Sequence, residues 1–343
     1  MRRIPVYVVL PPRVLLLDVA GPLEVLRRAN QLQSELRFDV HYVAAAGTVR
    51  SSIGLVLAQA EALPERLPEA AWVVVAGDVD DVMPCAVDAA QGAHRPDADA
   101  AAAAEASHER AIVAWLRDAV RADTLLICIC SGALLAARAG LLDGRACTTH
   151  HASCAELAAI APSARVLENR LYVADGPCYT SAGITTGIDL MLHIVGQLTD
   201  PACGMAIARY LVVYSRRGGA DPQLSPWLEG RNHVHPAVHR AQDAVAADLT
   251  RDWSLGALAR IACVSDRHLS RLFNEHVGMS IVQYVNRLRV ARAQELLRKT
   301  KLDMEQVAER TGFGSVRQFR RAWHRVHETA PREMRAGAEP PGT

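Results

Sequence analysis

Two stretches near the carboxy terminus repeat each other, and this duplication constrains the fold more than any other feature of the chain. Ala259, Cys263, Ser265, Arg267, Leu269, Arg271 and Phe273 have counterparts in Ala308, Gly312, Ser315, Arg317, Phe319, Arg321 and Trp323. The offset is 49 before the turn and 50 after it, so the second copy carries one extra residue in its turn. A repeat that keeps both its apolar positions and its arginines marks a duplicated supersecondary unit. In the first copy Leu255, Leu258, Ala259 and Ala262 stripe one helix, and Leu269, Leu272 and Phe273 face inward from the next. Phe319, Ala322 and Trp323 do the same in the second copy. Ser265 and Ser315 stand where a hydroxyl would cap the second helix of each pair. The outward face presents Arg267, His268 and Arg271 in one copy and Arg317, Gln318 and Arg321 in the other. Arginine and glutamine are the side chains that read guanine and adenine edges in the major groove.

Between the copies, residues 280–299 form one continuous helical pattern, with Ile281, Tyr284, Val285, Leu288 and Ala291 on a stripe. At 1.5 Å per residue this makes a rod of about 30 Å. One turn of DNA is about 34 Å, so two recognition helices held by such a rod reach successive major grooves of double-stranded DNA. Charge agrees with this reading. From His235 onward eighteen Arg and Lys face twelve Asp and Glu, a balance of +6, whereas the rest of the chain is −5 and the whole is +1. A basic end on an acidic body points to a nucleic-acid partner at that end only.

Residues from about 240 to 335 resemble the DNA-binding domain of the AraC/XylS family. Val307-Ala308, Thr311-Gly312-Phe313, Phe319-Arg320-Arg321 and Pro331-Arg332 follow its signature region. The resemblance implies a sequence-specific transcriptional regulator built as an all-α double helix-turn-helix, and leaves RNA polymerase open as a further partner.

The remaining residues exceed what a tail requires: 343 residues suggest two domains at about 100–200 residues each. Apolar runs at 4–10, 38–45, 72–76 and 124–129 read as strands and alternate with helical spacing at 19–32 and 111–120. That alternation predicts an α/β domain with a largely parallel sheet. Residues 185–198 and 201–213 read as two helices that close it. Residues 88–110, an alanine run with Pro, Asp, His and Gln around it, show no apolar face and are expected to be a mobile surface insertion. Residues 214–235, rich in Gly and Pro, read as a linker whose Trp227 is its one candidate anchor. The expected division is therefore 1–213, a linker at 214–235, 236–336, and a disordered tail at 337–343.

A strand followed by Cys130 and a helix from Gly132 has the form of a nucleophile elbow, and a helix N-terminus favours thiolate. A buried apolar cysteine is the plainer alternative. Asp18-Val19-Ala20-Gly21-Pro22, Ile129-Cys130-Ser131-Gly132-Ala133, Gly140-Leu141-Leu142-Asp143-Gly144, Thr148-Thr149-His150 and Ser181-Ala182-Gly183 form a set around it. Together they resemble the PfpI/class I glutamine amidotransferase-like superfamily over about residues 4–213, in the version fused to AraC-type domains, the GlxA-like regulators. The resemblance implies a flavodoxin-like sandwich, a homodimer, and a ligand pocket at Asp18, Gly77, Cys130, Ser131 and His150. Peptidase members carry a histidine directly after the elbow cysteine. Ser131 stands there in this chain, so a base from the adjacent residue is missing. Isonitrile hydratases pair the cysteine with an acidic residue at the place of Asp18, which this chain keeps. Asp18 also reads as the cap of a helix starting near Ala20 or Gly21, and His150 and His151 also read as structural hydrogen-bonders.

Three functions follow as readings: a regulator governed by a small metabolite, a Cys130-dependent hydratase or amidohydrolase carrying a DNA-binding appendage, and a thiol-based sensor. The first is preferred, so a sensor and not an enzyme is expected. Related regulators respond to amino acids, quaternary ammonium compounds and similar nitrogen metabolites, which suggests a nitrogen-containing effector by analogy alone. Aromatic residues are only 5% of the chain and assemble no visible cage for a cation. The eight cysteines are scattered without paired-ligand spacing, so neither a metal nor a cofactor is expected. No apolar run reaches the ~18 residues that span a bilayer, and the amino-terminal residues lack a signal peptide's apolar core, which predicts a cytoplasmic protein.

Overall fold

The computed structural model describes residues 1–83, 98–213, 218–219, 223, 230–231, 233, 235–327 and 329–336. The chain divides into two compact units, residues 1–223 and 224–343. Residues 88–97 of the expected insertion, most of the expected linker with Trp227, and the expected tail at 337–343 lie outside the described residues.

The first unit is built on β1 (Arg2–Val9), β3 (Leu36–Ala44), β6 (Glu61–Ala62), β7 (Trp72–Val75), β8 (Leu125–Ile129), β11 (Tyr172–Asp175) and β12 (Cys178–Ser181), in the order β11-β12-β8-β7-β1-β3-β6. All neighbours run parallel except β11 and β12. A second sheet joins β2 (Arg13–Val14), β4 (Thr48–Ser51) and β5 (Val56–Ala58), and β9 (Ala146–Cys147) pairs with β10 (Arg165–Val166). The central strands read as continuous apolar runs because both faces are covered. Along β7, Trp72 and Val74 enter one core with Val25 and Leu26 of α1 (Leu16–Leu32) and Leu190 and Ile194 of α5 (Thr186–Leu198). Val73 and Val75 enter the other, with Ile112 and Leu116 of α2 (Ala98–Ala119), Leu135 of α3 (Gly132–Arg138) and Leu157 of α4 (Cys154–Ile160). Each buried side chain of this size contributes about 1.5–3 kcal/mol, so the three-layer sandwich is secured from both faces. Helix α6 (Pro201–Tyr210) starts where Asp200 accepts the Cys203 N–H at 2.8 Å and Pro201 presets the first turn.

One expectation for this unit is corrected. Of the expected mobile insertion, 98–110 is the first half of a 22-residue helix. Its alanines have the highest helix propensity; Glu105 and Glu109 pair with Arg13 and Arg138 at 3.5 and 3.2 Å. The boundary between the two units, after Gln223, falls within the expected linker, whose first half is held to the first unit where it is described. The Gly219 carbonyl accepts the Leu171 N–H at 3.0 Å, and Gln223 Nε2 donates to the Thr149 carbonyl at 2.8 Å, which binds these residues to the first unit.

The second unit is all-helical: α7 (Pro236–Ala247), α8 (Leu255–Ala262), α9 (Asp266–Val277), α10 (Ile281–Lys299), α11 (Met304–Arg310), α12 (Val316–Trp323) and α13 (Pro331–Ala336). Ser254, Ser265, Ser280, Asp303 and Ser315 each accept the amide three residues on, so five successive helices start at a side-chain cap. Two apolar cores result. The first joins α7, α8, α9 and the amino-terminal half of α10; the second joins the rest of α10 to α11 and α12. The expected single stripe on α10 is corrected: it ends at Leu288, Ala291 is only half-buried, and burial moves to Val290, Ala293 and Leu297. The reason is that the two cores lie on different faces of one helix. Among the described residues no helix is long and apolar enough to cross a membrane.

Candidate nucleic-acid interface and effector pocket

The two helix-turn-helix pairs use the same local devices. Ser265 Oγ accepts the His268 N–H at 3.3 Å and Ser315 Oγ accepts the Gln318 N–H at 3.2 Å. Each hydroxyl starts a helix whose inner face is buried, Leu269, Leu272 and Phe273 in α9 and Phe319, Ala322 and Trp323 in α12. Arg267, His268, Arg271, Arg317, Gln318 and Arg321 are all exposed on the outer faces. The second turn is longer, with residues 311–315 between α11 and α12. Three residues separate α8 from α9, with Cys263 in the left-handed region at φ 57°, while the second turn holds Gly312 at φ 80°. Arg271 is held back by Glu275, one turn on at 3.0 Å, and Gln318 lends its amide oxygen to the Gly314 N–H at 3.2 Å.

In the first unit, β8 ends at Ile129 and Cys130 turns at φ 57° before α3 begins. Its amide donates to the Ser181 carbonyl at 3.0 Å, and its own carbonyl accepts the Thr149 hydroxyl at 2.8 Å. Two glycines close around it. A Cβ on Gly183 would collide with Cys130, and one on Gly77 would stand 2.5 Å from Asp18 Oδ2 and 2.9 Å from Cys130 Cβ. Asp18, in the first turn of α1, accepts the Ile184 N–H on Oδ1 at 2.6 Å. Its Oδ2 is buried and meets no fully formed hydrogen bond among the described residues. The cap reading of Asp18 is therefore corrected: α1 starts at Leu16, and the carboxyl crosses to the turn before α5 instead.

Burial dominates the electrostatics. It pushes the Asp18 carboxyl up to about 6, against the pull of the Ile184 N–H, the Cys130 thiol and the Gly77 amide. Burial and then the adjacent Asp18 push the Cys130 thiol up to about 12, only partly offset by the Ser131 amide and hydroxyl. Burial therefore opposes the thiolate that a helix end favours at this elbow. Ser131 is committed too: its hydroxyl donates to the Asp78 carbonyl at 3.0 Å and accepts the Asp78 N–H at 2.8 Å.

Asp18, Gly77, Cys130 and Ser131 thus meet at one point. His150 joins only through its neighbour Thr149; its ring lies tilted against His151 with centroids 4.1 Å apart, and burial, then His151, lowers its pKa. Asp18 and Gly77 are buried, Ser131 and His150 are half-buried, and Ile184 is 39% exposed. Ile184, Thr149 and Asp78 were not visible as site residues. Ile184 sits at φ 55°, an uncommon conformation for a β-branched residue with no residue pattern to announce it. Among the described residues no group of three His, Cys, Asp or Glu could hold a metal ion.

Comparison with known proteins places these two sites in context. A family model described as a helix-turn-helix domain matches residues 258–337, and that of the DJ-1/PfpI family matches residues 100–197. The HTH-type transcriptional regulator GbdR of Pseudomonas aeruginosa is 29% identical over 323 residues, covering 94% of this chain and 81% of the relative. The HTH-type transcriptional regulator CdhR of the same species is 30% identical over 254 residues, covering 68% and 71%. A solved THiJ/PfpI family protein from Pseudomonas syringae shares 21% identity, covering 72% of this chain and 88% of the other with a TM-score of 0.49.

Proposed function

This chain belongs to the family of HTH-type transcriptional regulators that carry a DJ-1/PfpI domain ahead of an AraC-type helix-turn-helix domain, and from that premise we propose that a small molecule bound beside Asp18 and Cys130 governs its activity on DNA. One observation carries the proposal: a carboxyl that burial pushes up to about 6 packs with Gly77, Cys130 and Ser131 in one cluster. A buried carboxyl whose pKa is shifted in this way is a candidate binding group. At neutral pH a carboxyl with a pKa of about 6 is mostly anionic, so the effector class that suits it is a nitrogen metabolite bearing N–H donors or a cationic centre.

The same site argues for a sensor over a catalyst. A thiol pushed up to about 12 is almost entirely protonated at neutral pH, and the residue after it is a serine already spent on Asp78. The regulator acts as a cytoplasmic homodimer in this reading. Ile53, Leu55 and Val56, each about half exposed at the β4–β5 hairpin, offer an apolar face for a second copy.

The test is a thermal-shift screen of the full chain against amino acids and quaternary ammonium metabolites, run in parallel on Asp18→Asn. A compound that raises the melting temperature of the wild type and not of the variant supports the reading. An equal shift in both, or no shift across the set, removes the pocket from the mechanism.

A further inference from the structure

Helix α10 serves its two cores with different faces. Ile281, Tyr284, Val285 and Leu288 enter the first core, and Val290, Ala293 and Leu297 enter the second. At about 100° per residue these two sets point to roughly opposite sides of the helix. Arg289 lies in the seam between them.

Its guanidinium ties the two halves together. Nε donates to the Leu249 carbonyl at 2.9 Å and Nη2 to the Arg251 carbonyl at 2.8 Å, both in the loop that leads into α8. The same group stands 5.8 Å from the centroid of Phe313, in the turn of the second pair. Gly312 completes the contact. A Cβ there would collide with the Leu249 carbonyl oxygen and come within 2.9 Å of Thr250 Cα and 3.0 Å of Arg289 Nε. The second turn therefore rests directly on the first pair's entry loop. That loop is itself stiff: Asp248 Oδ1 accepts the Thr250 N–H and hydroxyl and the Arg251 N–H, and the Trp253 indole donates to the Asp248 carbonyl at 2.7 Å.

We propose that Arg289 is a positioning residue that locks the two recognition helices at one mutual angle and so fixes the base-pair separation between their two major-groove contacts. The inference rests on the DNA-binding function and adds what sets its spacing. Cores on opposite faces of one rod hold each pair to the rod, yet either pair can still roll about it. A planar fork that engages two carbonyls at once, with the opposing turn packed against it, removes that roll. DNA demands such rigidity, since each added base pair turns the second groove by about 34–36° and moves it about 3.4 Å.

The test uses the full chain and DNA selected from a random duplex library by the wild type. The selected duplex is rebuilt with one base pair inserted between its two contacted blocks. Insertion is expected to weaken wild-type binding by at least about tenfold and Arg289→Met binding by less than about threefold. A merely structural role would weaken both duplexes alike and leave the spacing penalty unchanged, and that result overturns the proposal. Should Arg289→Met lack helical circular dichroism, Arg289→Lys keeps the charge and the stem without the fork and is read in the same way. A wild type that selects no duplex sinks the DNA-binding function instead.

Discussion

Asp18 and Ile184, 166 residues apart in sequence, meet through a hydrogen bond of 2.6 Å that ties the first turn of α1 to the turn before α5. The bond fixes one carboxyl oxygen in a buried place, and the cost of that burial is read directly in the pH dependence of stability. Asp18 titrates at about 6 in the folded chain against 3.8 for its ordinary value. Between these limits the folded state binds the proton and the unfolded state does not. The contribution is therefore fully present below pH 3.8 and is lost as pH rises through about 6. Asparagine can still accept the Ile184 N–H without carrying charge. Asp18→Asn should flatten this slope and gain on the order of 2 kcal/mol at pH 8. Urea unfolding at pH 5 and pH 8 measures it, and equal slopes in the two proteins would refute the assignment.

The burial that raises Asp18 also silences its neighbour. With its thiol pushed up to about 12, Cys130 should resist iodoacetamide at pH 8, whereas Cys263 is the exposed thiol among the described cysteines. Peptide mass spectrometry of the native chain should find Cys263 alkylated before Cys130. Rapid, selective labelling of Cys130 would revive the thiol-sensor reading.

Cys263 and Gly312 occupy equivalent places in the two turns, and both adopt left-handed backbone, at φ 57° and 80°. Only one of them is the residue that this conformation favours. Cys263→Gly should thus stabilise the chain by about 0.5–1 kcal/mol. Gly312→Ala should do the opposite and more strongly, because its new Cβ meets the Leu249 carbonyl as well as strained backbone. Denaturation midpoints that shift in the same direction for both variants would contradict this account.

These turns also show where sequence reading succeeds and where it stops. Ser265, Ser315 and the arginines beyond them were legible, because a cap and an apolar stripe act within one or two helical turns and leave a periodic trace. Cys130 was legible as an elbow through its strand, its neighbours and the glycine at 132. Its protonation state was not, since that depends on Asp18, Gly77 and Gly183 arriving from three other places in the chain. The first half of helix α2 was hidden for the opposite reason: residues 98–110 are alanine-rich with little apolar stripe, and their anchors, Glu105 to Arg13 and Glu109 to Arg138, are long-range. Arg289 escaped altogether, because bonds to carbonyls place no demand on the identity of the residues that supply them.

The last relationship concerns the recognition face itself. Arg271 donates to Glu275 at 3.0 Å and to His268 Nδ1 at 3.4 Å, so in the free protein its guanidinium is shared within α9. Arg271 and Glu275 are both more than half exposed, and such a pair adds only about 0.3–0.5 kcal/mol to the helix. Phosphates and base edges compete for the same guanidinium, and Glu275 also repels the duplex. Glu275→Gln should leave stability within about 0.5 kcal/mol of the wild type while tightening DNA binding. Arg271→Ala and Arg321→Ala should each weaken binding by about 1–3 kcal/mol if they read bases, with discrimination lost at one position of the site. Titrations of selected duplexes at several salt concentrations separate the two effects. A side chain that only meets phosphate lowers the salt slope by about one and weakens all sequences alike. If Arg271→Ala and Arg321→Ala change neither affinity, salt slope nor discrimination, the outer faces of α9 and α12 are not the reading surface.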